Sequence, residues 1–202
     1  MSTEIKTFIF DCFGVICDPV INGWYKENRL KHNLIDNNIQ NFLKGFDLGE
    51  VSEEGVVDYF LQYDGVNLTK EDLRKEIDSY LNLDFKLADT ILKLKKKGFK
   101  TMLLSNANAS FFERKIYPTY PKFKDLFDKI IISSEIRMVK PNPDIYMYAL
   151  KEADSKPEEL LFIDDSKINI DGALKVGMQG FLYTDNDSFE KYLKSIDVNL
   201  NN

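Results

Sequence analysis

Five short runs rich in β-branched or aromatic residues punctuate this chain, at Thr7–Phe13, Lys100–Ser105, Lys129–Ser133, Leu160–Ile163 and Gly180–Thr184. Each is short enough to be a strand buried on both faces. Helix-length segments lie between them, at Leu87–Lys97, Ala109–Ile116, Pro143–Ala153 and Ile168–Val176. Asn142 stands where it can cap the third of these, and Pro143 takes the first helical position, where a missing N–H costs nothing. The alternation predicts an α/β protein: a Rossmann-like parallel sheet covered by helices, with its ligand at the carboxyl ends of the strands.

The alternation lapses once. Between the first run and Leu87 the chain shows helical periodicity and no good strand, which predicts an inserted helical module over residues 17–85 and a core built from residues 1–16 and 86–202. Thr69 and Asp72 form a capping pattern ahead of Leu73, Ile77, Tyr80 and Leu81, an apolar face at helical spacing. Gly45, Gly49 and Gly65 are read as breaks between helices, and Trp24 as packing of a small bundle. His32, the sole histidine, is read as a solvated helix residue. Trp24, Arg29, His32 and Lys44 are the positions in this module to search for specificity.

Charge narrows the partners. The 202 residues carry 27 basic and 33 acidic side chains, a net charge of -6, and no Lys/Arg cluster offers a footprint for a phosphate backbone, so nucleic acid is excluded as a partner. No uncharged apolar run approaches the roughly 18 residues of a membrane span, so no membrane partner is expected. Cys12 and Cys17 are too few and too close for a disulfide scaffold; free thiols and a cytoplasmic location are expected. By the period of two, Cys12 faces away from Asp11 and into packing.

Four polar features close the predicted strands: Asp11, Ser105-Asn106, Lys140 ahead of Pro141, and Asp164-Asp165. In a parallel sheet these ends share one crevice. Three buried carboxylates repel one another at a cost of several kcal/mol, and one lysine does not neutralise three. A divalent cation does. An all-oxygen donor set favours a hard ion such as Mg²⁺, which takes one or two carboxylates, keeps several waters and binds substrate phosphate oxygens.

This constellation, in this order, resembles the haloacid dehalogenase superfamily of phosphotransferases over nearly the whole chain, and the insertion is similar to that family's helical cap. Response-regulator receivers also place aspartates and a lysine on such a sheet, but their acidic pair closes the first strand and not the fourth. The resemblance implies that Asp11 is a nucleophile forming an aspartyl-phosphate, that Lys140 screens charge, and that Ser105 with the Asn106 N–H holds phosphate oxygens. It further implies Mg²⁺ held by Asp11, Asp165, the Phe13 carbonyl and, directly or through water, Asp164. Asn169 is placed either to orient the metal shell or to serve as a plain helix residue. The implied partner is a small phosphorylated metabolite, and the implied state a monomer or homodimer.

One departure divides the readings. Most phosphatases of the superfamily carry a second aspartate, the general acid and base, two residues after the nucleophile, and here that residue is Phe13. Proton transfer by a placed side chain contributes about 10²–10⁴-fold. A phosphatase for small esters with an easier leaving group, such as an anomeric sugar phosphate, an acyl phosphate or an aryl phosphate, accommodates Phe13, and the Leu-Ser-Asn-x-Asn run at Leu104 to Asn108 resembles that of sugar-1-phosphate phosphatases in the superfamily. So does a haloacid dehalogenase, although Asp164-Asp165 would then be unexplained charge, and so does a phosphonate hydrolase with a lysine from the cap. A phosphate-binding or regulatory protein with impaired turnover is the alternative from another class.

Overall fold

A computed structural model describes residues 4–34 and 36–200. Its centre is a parallel sheet of β1 (Thr7–Phe10), β2 (Lys100–Ser105), β3 (Lys129–Ile132), β4 (Leu160–Asp164) and β5 (Gln179–Leu182), in the order β3-β2-β1-β4-β5. The doubly wound α/β class read from the alternation is therefore the one observed. The three central strands β2, β1 and β4 are buried on both faces, which is why they read as unbroken apolar runs, whereas the edge strand β5 is partly exposed. Phe8, Phe10, Leu103, Leu161 and Ile163 face one side of the sheet; Ile9, Met102, Leu104 and Phe162 face the other. Burying each such side chain stabilises the fold by about 1.5–3 kcal/mol before chain entropy is counted.

β1 ends three residues earlier than expected. The Cys12 carbonyl accepts N–H bonds from Ile16 (2.9 Å) and Cys17 (2.8 Å), and Gly14 adopts φ +94°, so the chain turns out of the ladder directly after Phe10. The cysteines themselves are buried free thiols, Cys12 in the packing between sheet and helices.

Four helices follow: α1 (Val20–Asn28), α2 (Ile39–Asp47), α3 (Glu53–Leu61) and α4 (Lys70–Asp78). Ser52 caps α3 and Thr69 caps α4, each accepting a backbone N–H three residues on. Leu73 and Ile77 are buried as the spacing required, while Tyr80 and Leu81 lie past the end of α4. Gly45 does not break a helix; it sits buried inside α2, and the break falls at Gly49, where φ is +76°. His32 is not solvated. It lies in the turn after α1, stacked on Trp24 at 6.0 Å, its Nδ1 2.8 Å from the Gly65 carbonyl oxygen. Gly65 permits this approach, since a Cβ there would strike the His32 carbonyl.

The rest of the chain alternates with the sheet: α5 (Phe85–Lys96), α6 (Ala109–Phe111), a π-helical turn (Phe112–Ile116), α7 (Tyr117–Thr119), α8 (Ser133–Ile136), α9 (Pro143–Ala153), α10 (Lys167–Lys175) and α11 (Asn186–Ser195). Asn142 caps α9 as expected, accepting the Asp144 N–H. No helix among the described residues is long and apolar enough to cross a membrane.

Strand order reverses about β1, which pairs with β2 on one side and β4 on the other. A crevice opens outside the carboxyl ends of strands at such a point.

Candidate active site

Register alone brings two of the acidic groups together. Phe10 pairs with Ile163, and the Asp11 N–H donates to the Ile163 carbonyl at 2.8 Å, so Asp11 and Asp164 leave adjacent strands at the same level. Single carboxylate oxygens of Asp11, Asp164 and Asp165 lie within 4.8 Å of one another. Lys140, from the loop before α9, reaches in to pair with Asp11 Oδ1 (2.6 Å) and Asp164 Oδ2 (2.8 Å).

The three aspartates do not occupy equivalent places. Asp164 is fully buried and its oxygens are engaged: Oδ1 accepts from the Ser166 N–H (2.8 Å) and Asn169 Nδ2 (3.1 Å), Oδ2 from Lys140 and Asn169. Asp165 is exposed, and it crowds Gly14, where a Cβ would collide with its carboxylate. A positive φ and this close approach both require glycine at that position.

Electrostatics follow from burial. Desolvation pushes the Asp11 carboxyl up to about 7 even though Lys140 pulls it down. Asp165, although exposed, is also raised, by partial desolvation and by the Asp164 charge. Burial works to lower Lys140, but the Asp11 and Asp164 carboxylates more than offset it and hold the ammonium above its ordinary value. One ammonium faces three carboxylates. The excess negative charge, the oxygen donors and the glycine that admits Asp165 together fit a hard divalent cation.

A cavity of about 340 Å³ opens onto this cluster. Asp11, Lys140, Asp165, Asn106 and Asn169 form its polar floor; Phe13 and Phe111 stand at one side, and Val20, Ile21, Asn22, Leu43, Phe46 and Asp47 of α1 and α2 form the facing wall. Phe13 packs its ring against Phe111 (6.0 Å) and Phe112 (6.1 Å), so an apolar surface stands where a second aspartate would be.

Ser105 is fully buried at the end of β2, and among the described residues its hydroxyl has no hydrogen-bond partner. Leaving such a group unsatisfied costs about 1–3 kcal/mol, which a ligand oxygen would recover. Asn106 does something the sequence did not suggest: its Oδ1 accepts the Lys140 N–H (2.8 Å) and its Nδ2 donates to the Lys140 carbonyl (2.9 Å), fastening the lysine loop to the end of β2. Asn169 touches Asp164 rather than open surface.

Trp24 and His32 are core of the insertion, Arg29 and Lys44 are exposed, and none of the four lines the cavity. The lining side chains of α1 and α2 carried no motif. Their only sequence signal is that Leu43, Phe46 and Asp47 share one side of a short amphipathic helix.

A profile of the haloacid dehalogenase-like hydrolases matches residues 5–177. With this sheet, this crevice and this match across most of its length, the chain belongs to the haloacid dehalogenase-like hydrolase family. Its relatives include the D-ribitol-5-phosphate phosphatase of Bacteroides thetaiotaomicron, 26% identical over 189 residues that cover 88% of this chain and 91% of that enzyme. Bifunctional epoxide hydrolase 2 of Rattus norvegicus is 31% identical over 105 residues, 51% of this chain but only 19% of that protein. Among solved structures, a haloacid dehalogenase-family enzyme of Bacteroides thetaiotaomicron in complex with magnesium and inorganic phosphate superposes with a TM-score of 0.73 at 26% identity, covering 92% of this chain and 98% of that one.

Proposed function

We propose that this hydrolase is a Mg²⁺-dependent phosphatase acting on small phosphate monoesters through an aspartyl-phosphate on Asp11. The observation that carries the reading is the convergence of Asp11, Asp164, Asp165 and Lys140 at the floor of one cavity. The kinship to a ribitol-phosphate phosphatase and to an enzyme solved with magnesium and phosphate supports it.

Asp11 and Asp165 would hold the ion with the Phe13 carbonyl, and Asp164, occupied by Lys140, Ser166 and Asn169, would act from behind them. When bound, the ion supplies positive charge that lets an anionic nucleophile approach an anionic phosphoryl group. Asp11 attacks phosphorus in line and the ester oxygen departs. Water then cleaves the acyl phosphate and regenerates Asp11. Lys140 favours the ionised form of Asp11 against the pull of burial and orients it; Ser105 and the turn that follows it supply donors for phosphate oxygens.

The helical insertion is a cap in this reading, since α1 and α2 roof the cavity. Apart from Lys140 the described lining residues include no cationic side chain, which favours a substrate whose alcohol portion is neutral and carries no second phosphate. A volume near the small end for ligand sites suits a sugar or polyol monophosphate.

A panel of phosphate esters, phosphonates and 2-haloacids assayed with Mg²⁺ and with EDTA tests the proposal. Phosphate release that requires Mg²⁺ and disappears in Asp11→Asn is expected. Metal-free halide release, metal-independent phosphate release or silence on every ester would each overturn it.

A further inference from the structure

We propose that Asp47, at the last position of α2, is the acid–base group of this site, supplied from the opposite wall of the cavity in place of the aspartate that Phe13 displaces. The inference rests on the phosphatase reading and deepens it. A phosphoryl transfer to Asp11 expels an alkoxide that needs a proton, and the water that later attacks the acyl phosphate must lose one. Among the described residues four titratable side chains line the cavity: Asp11, Asp165, Lys140 and Asp47. Asp11 is the nucleophile and is paired with Lys140, and Asp165 faces the metal position beside Gly14. Asp47 alone has no task, and among the described residues no donor hydrogen-bonds or pairs with its carboxyl.

Its placement is built, not incidental. Ser133 Oγ donates to the Asp47 carbonyl at 2.6 Å, and Asn108 Nδ2 contacts the carbonyls of Phe46 (3.1 Å) and Val51 (3.2 Å). Gly49 lies so close over Ser134 that a Cβ would come within 3.2 Å of it. Two segments at the carboxyl edge of the sheet, the turn after β2 and the start of α8, thus grip the backbone around Asp47, which lines the cavity. In-line attack by Asp11 places the leaving oxygen on the side of phosphorus opposite Asp11, within the cavity that Asp47 lines.

The environment suits proton exchange. Burial pushes the Asp47 carboxyl up to about 7, with Lys140 pulling the other way, and an acid–base group works best with a value near the working pH. The charged groups facing it are Lys140, Asp11 and Asp165 across the cavity; Lys44 on its own helix, Glu50 in the following turn and Glu135 on α8 are exposed. In the first step the Asp47 carboxylic acid gives its proton to the departing alkoxide, forming a neutral alcohol and a carboxylate. In the second, that carboxylate takes a proton from water as the water oxygen bonds to phosphorus and the bond from phosphorus to Asp11 breaks. Asp47 ends protonated and Asp11 ionised, as at the start.

The test compares wild type with Asp47→Asn and Asp47→Ser on two Mg²⁺-loaded reactions. One uses a sugar phosphate with an unactivated alcohol; the other uses p-nitrophenyl phosphate, whose leaving group needs no proton. The expected result is a fall in kcat of about 10²-fold or more on the sugar phosphate with little change in KM. On the aryl ester a burst of nitrophenol is expected, followed by accumulation of phosphorylated Asp11, detectable by intact-protein mass spectrometry. The burst also certifies that each variant is folded. Loss of the nitrophenol burst in proportion to the loss on the sugar phosphate, a change confined to KM, no change at all, or a wild type that cleaves only the aryl ester would overturn the role of Asp47 and leave the phosphatase reading standing. Wild-type silence on both esters would overturn that reading itself, and the role with it.

Discussion

Asn106 spends both ends of one amide on the backbone of Lys140 and none on Asp11, the nucleophile we propose. Removing it leaves a buried N–H and a buried carbonyl of the lysine loop without partners, so Asn106→Ala is expected to cost about 1–3 kcal/mol of stability in urea unfolding. The lysine then samples positions away from Asp11, and kcat is expected to fall while Mg²⁺ affinity, set by the aspartates, stays put in a calorimetric titration. Asp47 makes the opposite kind of prediction. Its carboxyl ionises near 7 in the fold against 3.8 unperturbed, so between those values the native state binds more protons than the unfolded chain. Stability from this group is complete below about pH 4 and is lost as pH rises through about 7. Asp47→Asn removes that loss. In EDTA the variant is expected to be more stable than wild type at pH 8, by on the order of 1 kcal/mol after solvent screening, with no gain at pH 4. Equal stability at pH 8 would show the carboxyl to be well hydrated.

At the level of elements, strands buried on both faces were legible because nothing but an apolar run fits between two helix layers. The aspartates and Lys140 were legible for a related reason: a parallel sheet delivers every strand end to one edge, so sequence order suffices to collect them. The end of β1 was not, because it is fixed by a carbonyl shared among several N–H groups in a turn rather than by side-chain type. Gly45 misled because a glycine marks a helix end only where φ is positive, as at Gly49, and Gly45 is held in α2 by burial. Asp47 was invisible because its position depends on Ser133 and Asn108, far along the chain, and no local pattern encodes such a grip. That dependence is itself testable. Ser133 is buried, donates to Asp47 and accepts the Ala107 N–H at 2.9 Å. Ser133→Ala is expected to speed amide exchange in α2 and in residues 47–51 by about tenfold, the loss of a hydrogen bond worth ~1.4 kcal/mol, while β1 and β4 remain protected. Uniform acceleration across the sheet would mean that the serine supports the whole fold and not the placement of α2.

Across the whole molecule, one continuous apolar cluster runs from Phe8 and Phe10 of the sheet through Val20 and Trp24 to Phe46 and Phe60 of the insertion. Shared burial of this kind makes the insertion and the sheet lose their core together, so the protein should unfold in a single cooperative step. The three aspartates repel one another and destabilise the folded state when no cation answers them. An ion that binds only the folded site stabilises by RT ln(1 + [L]/Kd), about 2.7 kcal/mol at a hundred times Kd. For a chain of this size, at roughly 2–4 °C per kcal/mol, saturating Mg²⁺ is expected to raise Tm by about 5–10 °C. Asp165→Asn removes a donor that faces the cavity and should abolish most of the shift, whereas Asp164→Asn, which also loosens Lys140, should lower Tm with and without the ion. Differential scanning calorimetry in EDTA and in Mg²⁺ distinguishes the cases. Two separated transitions would show that the insertion melts on its own, and an unchanged Tm with Mg²⁺ would show that the carboxylate cluster is neutralised by Lys140 and protons alone.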